Sequence, residues 1–500
     1  MSSINKVTTW LGRPFAGGVH PEDYKSLTDQ ETGRVEYFQP NRLYLPLLLS
    51  SGILLKPVVK VGQEVVRGQL LAEGVSRSQP PLHSPVNGIV EEIAPHIAHH
   101  PSKVKVNTIQ VRCFKEQSWS SDYQPRSMVG LSAEAITQYI EQAGIIGLGG
   151  AGFPTAMKAH FAKQAKVDTL IINGGECEPY ITCDDRVMRA HSNEVIAGIR
   201  LLLVATGAQK AIVGIENNKQ ASYQTMLAAA SEDDNITVEL VPTLYPMGSA
   251  RHMIKTLTGK TVPSGKRSTD IGVVVNNIST ARAVYHAVRF ARPLISKVIT
   301  VSGQGIESPC NLEVPIGTRV KDIIAHCGGL SIECERLIFG GPMMGQVITD
   351  LDIPITKTIN GLLALTSAEI GSDQQQECIR CGQCVRACPM GLMPFKMRSA
   401  SEASEYELVE SLGIKHCLSC GACSYICPSR IPLVQYFQHA KGVITQRKMS
   451  SIRQERAKKL AAQRTIRLTK EAELKKAAKA AKKKRGKRNT RTEVDVEANV

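Results

Sequence analysis

The chain has 500 residues, 42% hydrophobic and 21% charged, with 14 cysteines and a formal net charge of +16. Such a composition excludes a disordered chain and a small disulfide-stapled scaffold, and the length allows about three or four domains. The charge is local: Lys441 to Val500 carries 20 Lys/Arg against 6 Asp/Glu, whereas the other 440 residues carry 41 against 39.

The start, MSSINKVTTWLGRPF, lacks the apolar core of a secretory leader. No stretch reaches the roughly 18 apolar residues of a membrane-spanning helix. Leu43 to Leu55 is too short and holds Pro46, Ser50, Ser51 and Gly52. Six cysteines (Cys113, Cys177, Cys183, Cys310, Cys327, Cys334) are scattered, as expected of a reducing compartment. The expectation is a protein that is soluble or attached to a membrane from the side.

Residues 40 to 112 read as short strands with turn signals. Lys60-Val61-Gly62-Gln63-Glu64-Val65 and His83-Ser84-Pro85-Val86-Asn87-Gly88-Ile89-Val90 resemble one repeat of a biotinyl/lipoyl-like barrel–sandwich domain. A carrier would present a lysine on the hairpin between these halves. Gly74-Val75-Ser76-Arg77-Ser78-Gln79 has none, which favours a structural role.

From 130 to 297 helical and strand-like segments alternate, which indicates an α/β domain with a mostly parallel sheet. LSAEAITQYIEQAG is a helix with Ser132 as N-cap, and a second helix starts near Pro154. TLIIN, AIVGIE, ITVELV and GVVVNN are strands. SNEVIAGIRLLLVATG, ASYQTMLAAASE, ARHMIKTLTG and ARAVYHAVRF are helices. The loop Gly147-Leu148-Gly149-Gly150-Ala151-Gly152-Phe153-Pro154 follows a helix, not the strand that a dinucleotide fingerprint requires. It is either a tight turn or a phosphate cradle, in which glycines admit the ligand, the next helix offers N–H groups, and Lys158 neutralises charge. Asn173-Gly174-Gly175-Glu176-Cys177-Glu178-Pro179 ends one strand, and Asn276 and Asn277 end another. Strand ends are where open α/β sheets bind ligands, although Asn and Gly also make ordinary turns.

The cysteine run is written twice: Cys378-x-x-Cys381-x-x-Cys384-x-x-x-Cys388-Pro389, then Cys417-x-x-Cys420-x-x-Cys423-x-x-x-Cys427-Pro428. In two-cluster ferredoxins the fourth cysteine of such a run ligates the other cluster. Two [4Fe–4S] clusters are therefore expected, one on Cys378, Cys381, Cys384 and Cys427, the other on Cys417, Cys420, Cys423 and Cys388. A zinc ribbon needs only two pairs of ligands. The basic tail favours helix and has no aromatic residue beyond Phe437, which disfavours nucleic acid as a partner. An anionic membrane surface or an acidic partner suits it better.

GLGGAGFPTAMK (147–158), LIINGGECEPYITCDDRVM (170–188) and VVVNNISTA (273–281) resemble the flavin-binding 51-kDa subunit of respiratory NADH dehydrogenase. With GGVHPEDYK (17–25) and GGPMMG (340–345), the chain resembles the RnfC family of Rnf/Rsx ion-translocating electron transport complexes over residues 10 to 440. The resemblance implies a multidomain α/β and α+β protein. Its parts would be a barrel–sandwich domain (1–128), a Rossmann-like FMN/NADH domain (129–297), a β-grasp module (298–366), a two-cluster ferredoxin domain (367–440) and a basic helical or disordered tail (441–500). It implies FMN, with Gly147, Gly149, Gly150, Gly152 and Lys158 on the phosphate, and Asn173, Glu176, Glu178 and Asn276 lining the flavin and nicotinamide pocket. It also implies a peripheral place on the cytoplasmic side of the inner membrane, passing electrons from NADH to partner subunits that move Na⁺ or H⁺. Where the family usually reads Tyr-Pro-Gln-Gly-Gly-Glu, this chain reads Tyr245-Pro246-Met247-Gly248-Ser249-Ala250, which implies weaker or altered NADH binding. A non-enzymatic iron–sulfur adaptor with a vestigial flavin site, or a soluble NADH-dependent oxidoreductase, are the competing readings.

Overall fold

A computed structural model describes residues 14–29, 35–49, 52–76, 78–99, 103–120, 123–371 and 374–497. The start of the chain, Ser50, Ser51 and Arg77, on which three of the expectations above fall in part, lie outside those residues. Two compact units are present: 1–396 with 416–434, and 397–415 with 435–500.

Near its N-terminus the first unit forms two antiparallel sheets. One orders Arg42–Pro46, Lys105–Cys113, Gly88–Ile97 and Glu64–Val65; the other orders Lys56–Pro57, Leu70–Glu73 and Leu82–His83. Leu43, Leu45, Leu71, Val90, Ile109 and Val111 are buried. Inward apolar residues on both sheets are what hold a sandwich together.

The next segment carries an open parallel sheet in the order Ile236–Val241, Lys210–Glu216, Thr169–Gly174, Val273–Asn277. Leu170, Ile171 and Ile172 are fully buried, as central strands covered on both faces require. Six helices accompany it: α1 (Ala133–Gln142), α2 (Thr155–Gln164), α3 (Cys183–Thr206), α4 (Gln220–Ala229), α5 (Ala250–Thr258) and α6 (Ile278–Phe290). The Ser132 hydroxyl caps α1 by accepting from the Ala135 N–H at 3.2 Å. Helix α3 begins nine residues before the predicted Ser192, because the Glu176 carboxylate satisfies its first amides, and it breaks regular geometry at His191. Strand pairing sets Asn277 opposite Asn173, so two of the predicted strand ends meet at one edge of the domain.

A six-stranded mixed sheet follows, in the order Glu36–Tyr37, Cys310–Pro315, Ser296–Ser302, Gly361–Thr366, Cys334–Phe339, Gln346–Ile348, with the helix Val320–His326. The predicted module boundary of 298–366 is too narrow here. The sheet starts at Ser296 and borrows an edge strand from the N-terminal region, pairing Glu36 with Leu312. Such a distant edge strand carries no local signal in sequence.

In the second unit, the 441 boundary of the tail falls inside one continuous helix, Leu433–Glu497. Arg447 stacks on Tyr406 at 4.6 Å and pairs with Glu407 at 3.2 Å. Among the described residues no helix is long and apolar enough to cross a membrane.

Helices α3 and α6 touch backbone to backbone at Gly198, where a Cβ would sit 1.9 Å from the Ala281 carbonyl oxygen. In a close-packed interior the two helices must part to admit a methyl group. Gly198→Ala should cost about 3 kcal/mol, read as a lower urea midpoint with an unchanged slope.

Candidate functional site

One cavity of about 1020 Å³ opens in the first unit. It exceeds the usual range for a single small ligand, which ends at about 1,000 Å³. Its floor is the glycine loop between α1 and α2. There the Gly147 N–H donates to the Phe153 carbonyl at 2.8 Å and the Gly152 N–H to that of Gly147 at 3.3 Å. Gly150 holds φ at +106° with open space around it, a conformation L side chains rarely adopt. Gly147, Gly149, Gly150, Gly152 and Lys158 all line the cavity. Lys158 lies in the first turn of α2, and its Nζ donates to the Val275 carbonyl at 2.9 Å. Burial lowers this ammonium to about 8. It has no carboxylate partner among the described residues, so an anion in the cavity would relieve its desolvation. The buried Lys297 Nζ donates to the Leu148 carbonyl at 3.0 Å and to Asn360 Oδ1 at 2.7 Å, anchoring the loop from behind.

Asn173, Glu176, Glu178 and Asn276 line the same cavity, but they differ in what they offer it. Asn276 Oδ1 is buried with no hydrogen-bond partner. Such an orphan acceptor fits a ligand N–H. Asn173 is spent on its own loop, donating to the Gly248 carbonyl at 2.8 Å and accepting from the Gly175 N–H at 3.0 Å. The Glu176 carboxylate turns away from the cavity to accept from the Asp184 N–H at 2.8 Å and the Asp185 N–H at 3.3 Å. The predicted ligand-lining role of Glu176 is corrected accordingly: it caps a helix, and its main chain faces the site. Burial raises the Glu178 carboxyl to about 7 despite the Met343 N–H donated to its Oε2 at 3.0 Å.

Tyr245 bridges the cavity wall to the cysteine runs. Its hydroxyl donates to the Cys420 carbonyl at 2.5 Å and lies 3.4 Å from Glu178 Oε1. A hydroxyl has one proton, so the shorter contact takes it. Two residues on, Met247 is fully buried in an apolar cluster with Phe15, Ile171, Leu244, Met253 and Ile254. The altered loop therefore changes the cavity only at Ala250, which lines it; Met247 faces the core.

The eight run cysteines separate into two quartets. The thiols whose charge acts on Cys384 are Cys427, Cys378 and Cys381; those acting on Cys423 are Cys420, Cys417 and Cys388. These are the crossed sets that the spacing predicts. Both runs repeat one backbone track, with left-handed residues at Arg380, Gly382 and Gly391 in the first and at Ser419, Gly421 and Arg430 in the second. Among the described residues no three ligands close on a single ion, whereas a multi-iron cluster needs thiols that stand around it. Cys388 Sγ accepts from the Leu392 N–H and Cys417 Sγ from the Ser419 N–H, each at 3.4 Å. Leu418 and Cys420 belong to the cavity wall itself.

Sequence reasoning missed Tyr245, Lys297 and Asp184, which receives Asn277 Nδ2 at 2.6 Å. Asp184 and Tyr245 fall inside recognisable motifs, but nothing in the sequence gave the direction of their side chains. Lys297, at the edge of the domain, had no signal.

Comparison with known proteins matches four families along the chain. These are the RnfC barrel sandwich hybrid domain (residues 13–115), the Nuo51 FMN-binding domain (140–286), the SLBB domain (298–347) and the 4Fe-4S dicluster domain (377–431). The glycine cradle, the orphan Asn276 oxygen and the two thiol quartets fit FMN and [4Fe–4S] clusters as the cofactors. Relatives named as the RnfC-type component of an ion-translocating oxidoreductase complex include one from Rhodobacter capsulatus, 42% identical, with 86% of this chain and 83% of the relative covered. Another, from Yersinia enterocolitica, is 38% identical over 86% of this chain and 61% of its own length. A third, from Haemophilus influenzae, is 36% identical over 92% and 55%. Among solved structures, an NAD⁺-reducing [NiFe]-hydrogenase in its H₂-reduced state aligns over 59% of this chain and 60% of its own, with 21% identity and a TM-score of 0.45. The chain belongs to the RnfC family of ion-translocating oxidoreductase complexes.

Proposed function

We propose that this protein takes electrons from NADH at an FMN held in the cavity and passes them singly, through its two cysteine quartets, to partner subunits of an ion-translocating complex. The observation that carries the reading is the reach of one cavity from the glycine loop and Lys158 to Cys420. FMN supplies the conversion of a two-electron donor to one-electron carriers. The chain's own residues do the rest. The amides of the glycine loop and of the α2 N-terminus, with Lys158, hold a phosphate. Asn276 Oδ1 accepts from a ring N–H. Glu178, raised to about 7 by burial, holds a proton near neutral pH inside the cavity. Tyr245 fixes the Cys420 main chain against the Glu178 loop. The quartet of Cys388, Cys417, Cys420 and Cys423 is then the inner one, and that of Cys378, Cys381, Cys384 and Cys427 the outer one.

Peripheral attachment to the cytoplasmic face of the inner membrane completes the reading, with the basic helix against anionic lipid. The adaptor reading retains one supporting observation, Ala250 in place of the family's carboxylate at the cavity.

Under anaerobic conditions, with clusters reconstituted and FMN added, NADH should bleach the flavin and then raise reduced-cluster EPR signals. Retained clusters without flavin reduction would establish the adaptor instead. In Cys388→Ser the flavin should still bleach while cluster reduction slows and the inner signal is lost.

Ala250→Glu should tighten NADH binding about tenfold, about 1.4 kcal/mol, by restoring an acceptor for a sugar hydroxyl. Met247→Gln should leave NADH affinity alone and cost about 2 kcal/mol of stability, because it buries an amide in an apolar cluster. Titration calorimetry and urea melts separate the two; equal affinities for Ala250→Glu and native protein would remove the loop from nucleotide recognition.

For the tail, raising salt toward about 1 M shortens the screening length to ~3 Å. A chain lacking residues 441–500 should leave membranes at lower salt than the full chain. Identical release would exclude a lipid role for the helix.

A further inference from the structure

The motif GGVHPEDYK has no part in the cofactor contacts described so far. In the structure, residues 17–28 form a strap that runs from a cysteine run to the loop behind the cavity. At one end the Gly18 N–H donates to the Ala387 carbonyl at 3.0 Å, and a Cβ on Gly17 would lie 2.6 Å from the Cys388 carbonyl oxygen. Val19 and Tyr245 exchange backbone hydrogen bonds at 2.9 and 3.0 Å. Further along, the Tyr180 N–H donates to the Asp23 carbonyl at 2.7 Å, and the Tyr24 and Tyr180 rings stack at 4.6 Å. Thr28 Oγ1 meets Thr182 Oγ1 at 2.7 Å.

Lys25 is the chemical centre of the strap. Its Nζ donates to three main-chain carbonyls, those of Glu176 (3.0 Å), Glu178 (2.9 Å) and Ile181 (2.5 Å). Those acceptors saturate the three donors of an ammonium. No carboxylate forms an ion pair with it among the described residues. Glu176 and Glu178 are cavity-lining residues, so the cation sits directly behind the site's wall. The Glu176 carbonyl receives a second ammonium, Lys219 Nζ at 3.3 Å, but Lys219 is neutralised by Glu216 at 2.6 Å. The uncompensated charge is that of Lys25.

Enclosing a cation without a counterion is costly unless something else requires it. Three carbonyls could be satisfied by backbone or by water at lower cost. A fixed positive charge behind a flavin site has a use, because it favours the form that has gained electrons. We infer that Lys25 is a positioning residue for the redox site: through its three-carbonyl cup it fixes the Glu176–Ile181 loop and supplies the positive field that sets the flavin's reduction equilibrium. The inference rests on the flavin reading given above. It also gives the strap one role at both ends, since the same short segment grips the inner cysteine quartet at Cys388 and the flavin loop at Glu176.

The test uses the full chain with both clusters reconstituted, and reads FMN affinity by fluorescence and the flavin midpoint by spectroelectrochemistry. Lys25→Met should weaken FMN binding and shift the two-electron reduction equilibrium about tenfold toward the oxidised form, which is about 30 mV for such a couple. Lys25→Arg, which keeps the charge, should restore the midpoint even if FMN binds less tightly. If Lys25→Met does not fold, judged by circular dichroism, Lys25→Gln keeps an N–H donor for the cup and removes only the charge, and carries the same expected shift. A native midpoint in a folded neutral variant would overturn the inference. Native protein that retains no FMN would overturn the flavin reading beneath it.

Discussion

The site depends on main-chain segments approaching one another more closely than a side chain permits. A Cβ on Gly421 would stand 2.5 Å from the Met343 carbonyl oxygen, one on Gly248 2.5 Å from that of Gly175, and one on Gly17 2.6 Å from that of Cys388. These contacts join a cysteine run to the 340–345 loop, two strand-end loops to each other, and the N-terminal strap to the other cysteine run. Each pulls a separately folded part of the first unit toward the cavity. Electron carriers work only when held close, and backbone contact is the shortest packing that a polypeptide offers. The cavity can therefore reach from the glycine loop to Cys420 without an intervening layer of side chains.

A second constraint follows from that density. Carboxylates are scarce at the inner surface, and those present are already committed: Glu176 to the amides of α3, Glu216 to Lys219, and Asp184 to Asn277 and Ser279. The ammoniums of Lys25, Lys158, Lys297 and Lys357 are satisfied by main-chain carbonyls or an amide instead, and burial lowers all four. A carbonyl dipole satisfies an N–H without cancelling the charge. The cavity is consequently surrounded by positive charge that packing has left uncompensated, which suits an anionic nucleotide better than any neutral ligand.

Features written as covalent spacing were legible in the sequence. The cysteine runs predicted the crossed quartets because ligand spacing fixes geometry before any packing is known. Buried strands such as Leu170-Ile171-Ile172 and the cap at Ser132 were legible from periodicity and local hydrogen bonding. Side-chain direction within loops was not. Met247 and Ala250 belong to one loop, yet one packs into the core and the other faces the cavity, and Glu176 and Glu178 lie two residues apart with carboxylates turned to different tasks. Tertiary contacts decide such directions. The strand Glu36–Tyr37 was invisible for the same reason, because two residues acquire strand geometry only from a partner, Cys310–Pro315, far along the chain.

The two cysteine runs share spacing and backbone track, so whatever distinguishes their clusters must come from the surroundings. Cys420 and Cys423 are buried, whereas Cys381 is exposed. Solvent exposure and hydrogen bonds to sulfur are what tune iron–sulfur potentials within one cluster type. Under the proposed assignment the inner cluster is shielded by the strap, by Tyr245 and by the 340–345 loop, while the outer one reaches the surface at Cys381. The chain repeats one motif and obtains two unlike carriers from it, the inner one facing the cavity and the outer one accessible to a partner protein. Direction along the wire is thus set by burial rather than by ligand chemistry.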